Sequence, residues 1–184
     1  LTQAGLAVSP TLLTLTHPRQ INTIDWGSLP PSFVIKPASS SQGRGVLVIF
    51  GKSKKRPDTW IRFDGRRITK EEITSHLFTI LVGSFSAGAD KAFFEERVKI
   101  HPALKPYARR GTPDVRVVVF NKVPIMAELR LPTLRSGGRS NLHMGGIGIG
   151  VDLAQGITTH AIYLGKPLRF LPDTRTMLSG VTIP

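Results

Sequence analysis

The chain has 184 residues, 40% of them hydrophobic, with 25 Lys and Arg against 12 Asp and Glu for a formal net charge of +13. That length can bury a core as one domain or two small lobes, and the absence of cysteine excludes disulfides, thiolate metal sites and cysteine nucleophiles. No apolar run is long enough to span a bilayer and no signal segment follows Leu1, so a cytoplasmic protein with no membrane partner is expected.

In chain order, Leu1–Ala4 reads as the tail of a helix stopped at Gly5, and Leu6–Pro10 as extended. The polar stretch from His17 to Pro31 reads as a loop, with room for a short helix. Phe33–Ile35 and Gly45–Phe50 are β-branched and aromatic runs, joined by a Ser- and Gly-rich loop whose backbone amides can converge on an anion. Asp64-Gly65 is a two-residue hairpin signal between Trp60–Phe63 and Arg66–Ile68. Thr69 and Glu72 form a capping box, and Ile73, Leu77, Ile80 and Leu81 follow at helical spacing, predicting one amphipathic helix ending near Gly83. Strands are expected at Ala92–Val98, Val115–Phe120, Pro124–Leu131 and His160–Leu164. Ile147, Ile149 and Val151 alternate with Gly148 and Gly150 in a narrow strand. The expected class is α+β, a small sheet with a helix followed by a larger antiparallel sheet. Residues 1–31 are assigned to an N-terminal linker region, 32–91 to a small subdomain and 92–184 to a larger one.

The positive charge favours an anionic partner: nucleic acid, nucleotide phosphate or acidic peptide. Aromatics are only 7% and are not interleaved with the basic residues, so stacking platforms for a single strand are missing and nucleic acid is disfavoured as the primary ligand. Gly51-Lys52-Ser53 ends a stretch unlike a phosphate-binding P-loop, because the glycine spacing is too long and a hydrophobic strand replaces the open loop. Gly146–Gly150 lacks the following helix of a dinucleotide fingerprint. His17, His76, His101, His143 and His160 show no metal-ligand spacing, and no nucleophile elbow is present.

Lys36 is more informative. An ammonium on an apolar strand must meet an anion or snorkel to solvent. Asp114 and Arg116, two apart on one strand, share a face, and Arg130 on the next strand can join it. This is either a structural ion pair or, with two arginines for one aspartate, a surplus of positive charge suited to phosphate. Glu95-Glu96 is either a charged strand terminus or a group that reads a purine edge.

These residues resemble the ATP-grasp ligases. Phe33-Val34-Ile35-Lys36-Pro37, Pro113-Asp114-Val115-Arg116 and Arg139-Ser140-Asn141-Leu142-His143 with Gly145-Gly146 occur in the family's order, and the last is the most specific. The chain is most similar to the ribosomal-protein glutamate-adding ligases and the α-L-glutamate-ligase-like proteins related to them. The resemblance implies ATP held between two α+β lobes. Lys36 would hold phosphate oxygens, the Ser39–Gly45 loop with Ser41 and Gly43 would close over them, and Glu96-Arg97 would contact adenine. Asp114 would face the ribose or its neighbouring polar network, Arg130, Arg139, Ser140 and Asn141 the phosphate end, and Arg116 with Arg130 would stabilise the transferring phosphoryl group. The implied reaction joins a carboxylate to an amine through an acylphosphate, by charge neutralisation rather than a protein nucleophile. Its partners would be ATP and an amino acid or acidic peptide.

Magnesium is implied as well, but its Asp, Glu and Asn ligands are expected in a segment beyond Pro184, so no metal ligand is assigned within the chain. A truncation at both ends is therefore expected, in line with the missing initiator Met. Two other functions fit the residues: a non-catalytic ATP- or anion-binding module, and a basic RNA-binding domain. Oligomeric state is not legible.

Overall fold

The computed structural model describes residues 5–108 and 111–184. Leu1–Ala4, read as a helix tail, and Arg109-Arg110 lie outside the described residues. The chain forms two compact units that divide between Val98 and Lys99. Among the described residues there are two antiparallel sheets and one α-helix.

The first unit holds six strands: β1 (Thr11–Leu15), β2 (Phe33–Pro37), β3 (Leu47–Lys52), β4 (Thr59–Arg62), β5 (Arg67–Thr69) and β6 (Ala92–Glu96). They are ordered β1-β6-β2-β3-β4-β5. Ala92–Glu96, which the sequence places at the head of a second subdomain, is hydrogen-bonded between β1 and β2 of this sheet. Leu6–Pro10, read as extended, precedes the strand that actually pairs, at Thr11–Leu15.

Alternation decides the sheet's two faces. Phe33, Ile35, Ile49, Ala92 and Phe94 are buried on one face. Against them the helix α1 (Lys70–Leu81) lays Ile73, Leu77, Ile80 and Leu81. The Thr69–Glu72 capping box forms as expected: the Glu72 carboxylate accepts from the Thr69 amide at 2.7 Å, and the Thr69 hydroxyl accepts from the Glu72 amide at 3.3 Å. Trp26 and Trp60 close one end of the core with ring centroids 5.3 Å apart.

The second unit is a five-stranded sheet of β7 (Asp114–Phe120), β8 (Val123–Leu131), β9 (Ile147–Asp152), β10 (Ile157–Tyr163) and β11 (Lys166–Leu168), in the order β11-β10-β9-β8-β7. Leu129, Leu131, Ile147, Ile149 and Ala161 are buried on one face with Leu104, Leu171 and Leu178 packed on them. Asn121 and Lys122, both at positive φ (47° and 66°), make the tight turn between β7 and β8. This hairpin runs beyond the core, leaving Val117, Val119, Phe120, Val123, Ile125 and Met126 exposed.

Candidate functional site

In the first unit, Val34, Lys36, Phe93 and Glu95 lie on the sheet face opposite the helix, because their neighbours Phe33, Ile35 and Phe94 point into the core. Cross-strand register sets Lys36 beside Phe93 and Val34 beside Glu95. Lys36 then reaches diagonally to Glu95, with Nζ 2.7 Å from Oε2. Lys36, Phe93 and Glu95 line a cavity of about 340 Å³ with Thr11, Pro37 and Ala38. Lys36 meets an anion here, which answers the question its strand position raised.

The Ser39–Gly45 loop leaves this face directly from β2. The Ser41 carbonyl accepts from the Arg44 amide at 3.1 Å across Gln42 and Gly43, both left-handed at φ 58° and 70°. Two consecutive positive φ values define a type I′ turn, which explains the glycine. The Ser40 hydroxyl donates to the Arg44 carbonyl at 2.8 Å. The entry to the loop is held by Asp90, whose Oδ2 accepts from the Ser39 amide at 3.0 Å. Burial by itself would raise the Asp90 pKa, but the hydrogen bonds from the Lys91 and Ser39 amides outweigh it and the net shift is downward.

Glu96 and Arg97 end β6. The Glu96 amide donates to the Pro10 carbonyl at 3.0 Å, and its side chain is exposed. Arg97 lays its guanidinium 4.5 Å from the Phe50 ring centroid, and its buried Nε has no hydrogen-bond partner among the described residues. Such a donor costs free energy unless a ligand completes it.

In the second unit, register sets Asp114 opposite Arg130 and Arg116 opposite Glu128. Opposite residues share a face, so all four charges lie together. Arg130 grips Asp114 with both arms, Nε to Oδ1 at 2.6 Å and Nη2 to Oδ2 at 3.1 Å. This is the fork geometry of a strong pair. The inferred arginine surplus counted only one carboxylate. Glu128, two residues before Arg130 on the same face, balances the set. No ion pair within 4.0 Å joins it to Arg116 among the described residues.

On the far side of β8, Gly148 and Gly150 of β9 face Arg130 and Glu128. A Cβ on Gly148 would stand 2.7 Å from Leu142 Cδ2, so this glycine seats the Arg139–Gly146 turn on the sheet. The turn is braced at its start, where the buried Ser140 hydroxyl donates to the Thr112 carbonyl at 2.9 Å. That bond spends the Ser140 hydroxyl on positioning its neighbours Arg139 and Asn141, both of which also engage other groups. The turn closes with the Gly146 amide donating to the Asn141 carbonyl at 2.9 Å. A Cβ on Gly146 would lie 2.8 Å from the Ser140 carbonyl oxygen, so the residue has to be glycine.

The predicted residues thus fall into two groups: Lys36, Ser41, Gly43, Glu96 and Arg97 in the first unit, and Asp114, Arg116, Arg130, Arg139, Ser140 and Asn141 in the second. Sequence reasoning missed Glu95, Asp90 and Glu128 as partners. The period-two parity of each strand could have found Glu95 and Glu128. Nothing local signals Asp90. Among the described residues no group of three His, Asp or Glu side chains could hold a metal ion, so no step is assigned to magnesium. Among the same residues, no helix is long and apolar enough to cross a membrane.

A protein-family model described as sugar-transfer associated ATP-grasp matches residues 1–184. No curated protein and no solved structure matches the chain significantly. The family match runs through the lysine strand, the Asp114 strand and the Arg139–Gly146 turn alike, and the chain belongs to the sugar-transfer-associated ATP-grasp family.

Proposed function

We propose that the chain binds ATP and serves an ATP-dependent carboxylate–amine ligation related to that of the glutamate ligases, with an amino acid or acidic peptide as substrate. Membership in an ATP-grasp family supports ATP-dependent, ligase-type chemistry. The observation that carries the nucleotide reading is Lys36 on an open sheet face beside a donor-rich type I′ loop. Its side chain is 41% exposed, and among the described residues its ammonium is paired with a single carboxylate oxygen of Glu95. A phosphate oxygen can replace that oxygen without unpacking the strand. Lys36 would then pass from Glu95 to the phosphates, and the Ser41 and Gly43 region would supply amide donors. ATP supplies the phosphoryl group that activates the carboxylate. Arg116, Arg139 and Asn141 would steady its developing charge. Asp114 presents a carboxylate suited to ribose hydroxyls.

A second reading, a nucleotide-binding module without turnover, is favoured by the charge balance of Asp114, Arg116, Glu128 and Arg130. Isothermal calorimetry with ATP, followed by an assay for magnesium-dependent ADP release with amino acids and acidic peptides, separates the two. Binding with ADP release supports the ligase. Binding without ADP release supports the module, and release of AMP overturns the acylphosphate route. No ATP binding overturns both.

A further inference from the structure

The exit of the Ser39–Gly45 loop is fastened as firmly as its entry, and by the same stretch of chain. His76, on the sheet-facing shoulder of α1, places Nε2 2.8 Å from the Gly45 carbonyl oxygen. In that contact the ring nitrogen must be the protonated one, donating to the carbonyl. Phe85 packs against both partners: its ring centroid lies 5.7 Å from that of His76, and a Cβ on Gly45 would stand 2.7 Å from its Cδ2. Gly45 is buried and left-handed at φ 74°, so the backbone there can take one path and lie flat on the ring. At the entry, Asp90 holds the Ser39 amide, and the Ala38 amide donates to the Lys91 carbonyl at 3.0 Å. Asp90 is itself tied to the helix end, its amide donating to the Leu81 carbonyl at 3.3 Å. One contiguous frame, from His76 to Lys91, therefore clamps both stems and leaves Ser40–Arg44 as the exposed span between them.

We propose that His76, seated by Phe85, is a positioning residue for nucleotide phosphates: it fixes the exit stem of the loop so that the turn at Ser41–Arg44 faces the side on which Lys36 stands. This rests on the reading of that loop as the phosphate-binding one. Nothing in helix formation or core packing requires a histidine at this place. The buried stripe of α1 is Ile73, Leu77, Ile80 and Leu81, and His76 lies beside it. Its hydrogen bond leaves the helix altogether and reaches a carbonyl 31 residues away in sequence.

The test needs no identified acceptor substrate. Arg44 is exposed at the loop exit, so trypsin reports directly on the freedom of the Arg44–Gly45 bond. Cleavage in the exposed run Lys54-Lys55-Arg56 serves as the internal reference for protease activity, and the thermal midpoint reports global unfolding. In the full chain, His76→Ala is expected to raise cleavage after Arg44 about tenfold relative to the reference. It should also weaken ATP binding, measured by calorimetry, by about tenfold. His76→Gln, whose amide can still donate to the Gly45 carbonyl, should restore most of both. Unchanged cleavage and unchanged ATP affinity in a folded His76→Ala protein overturn the proposal, as does a His76→Gln variant no better than alanine. If His76→Ala does not fold, Phe85→Leu keeps the apolar contact, loses the ring that seats the imidazole, and is expected to show the same two changes. Faster cleavage with wild-type ATP affinity overturns the phosphate role of His76 alone. Absence of ATP binding in the wild-type chain instead overturns the phosphate reading of the loop.

Discussion

The two units each carry one well-made ion pair, and the pairs are mirror images in their exposure. In the first, Lys36 is 41% exposed and Glu95 18%; in the second, Arg130 is 17% exposed and Asp114 43%. The cation faces outward in one and the carboxylate in the other. A lysine held by one oxygen is a mobile point charge that changes partner at low cost, whereas a guanidinium gripped through two nitrogens is fixed in place. The first pair therefore turns its positive charge toward solvent, and the second its negative charge.

That contrast can be broken by exchanging the consequences. Lys36→Ala is expected to lower ATP affinity about a hundredfold, near 2.7 kcal/mol, with little change in thermal midpoint. Equal ATP affinities in a calorimetric titration would remove the asymmetry. Asp114→Ala strands a sheltered guanidinium, so urea unfolding should show a loss of about 1–3 kcal/mol. Glu95→Ala leaves Lys36 in water and should cost less than about 1 kcal/mol, while ATP affinity stays level or rises. Equal losses for the two carboxylates would contradict the difference in exposure.

The smallest effect is a dependence on pH. Burial lowers the His76 pKa, the hydrogen bond to Gly45 opposes the shift and Arg62 adds to it, for a net depression. Below about pH 6.5 the unfolded chain takes up a proton that the folded chain refuses, so stability should fall as pH drops through that range. The fall should be absent in His76→Gln. Asp90, also depressed in the fold, gives a second and separate loss on acidification below about pH 4.

Local chemistry was legible in the sequence wherever it acts over a few residues. The Thr69–Glu72 box, the Ile73–Leu81 stripe and the Gly148–Gly150 alternation all read correctly, because capping, helical period and strand parity are short-range. The pairing of β6 between β1 and β2 did not, since β1 was not recognised and partner choice across 80 residues leaves no local mark. The candidate site divides in the same way. Lys36, Asp114, Arg130 and the Arg139–Gly146 turn stand out by residue type. The partners that decide their behaviour were harder to see: Glu95 and Glu128 are fixed by register, and His76 by a contact between distant segments.

The projecting β7–β8 hairpin bears on how the protein behaves as a colloid. Val119 is 57% exposed and Phe120 73% on the edge strand β7, which among the described residues has no strand partner on its outer side, and Ile125 on the neighbouring β8 is 58% exposed. Between Val117 and Ala127 the only charge is Lys122. Such an edge is ordinarily guarded by local charge. Here the guard is remote, in the +13 carried by the chain as a whole. Repulsion of that kind reaches about 10 Å at 0.1 M salt but only about 3 Å at 1 M. The protein should therefore stay dispersed in dilute buffer and self-associate as salt is raised, opposite to the behaviour of a protein held together by surface ion pairs. Light scattering across a salt series would show it, and a second lysine at Val119 should abolish it.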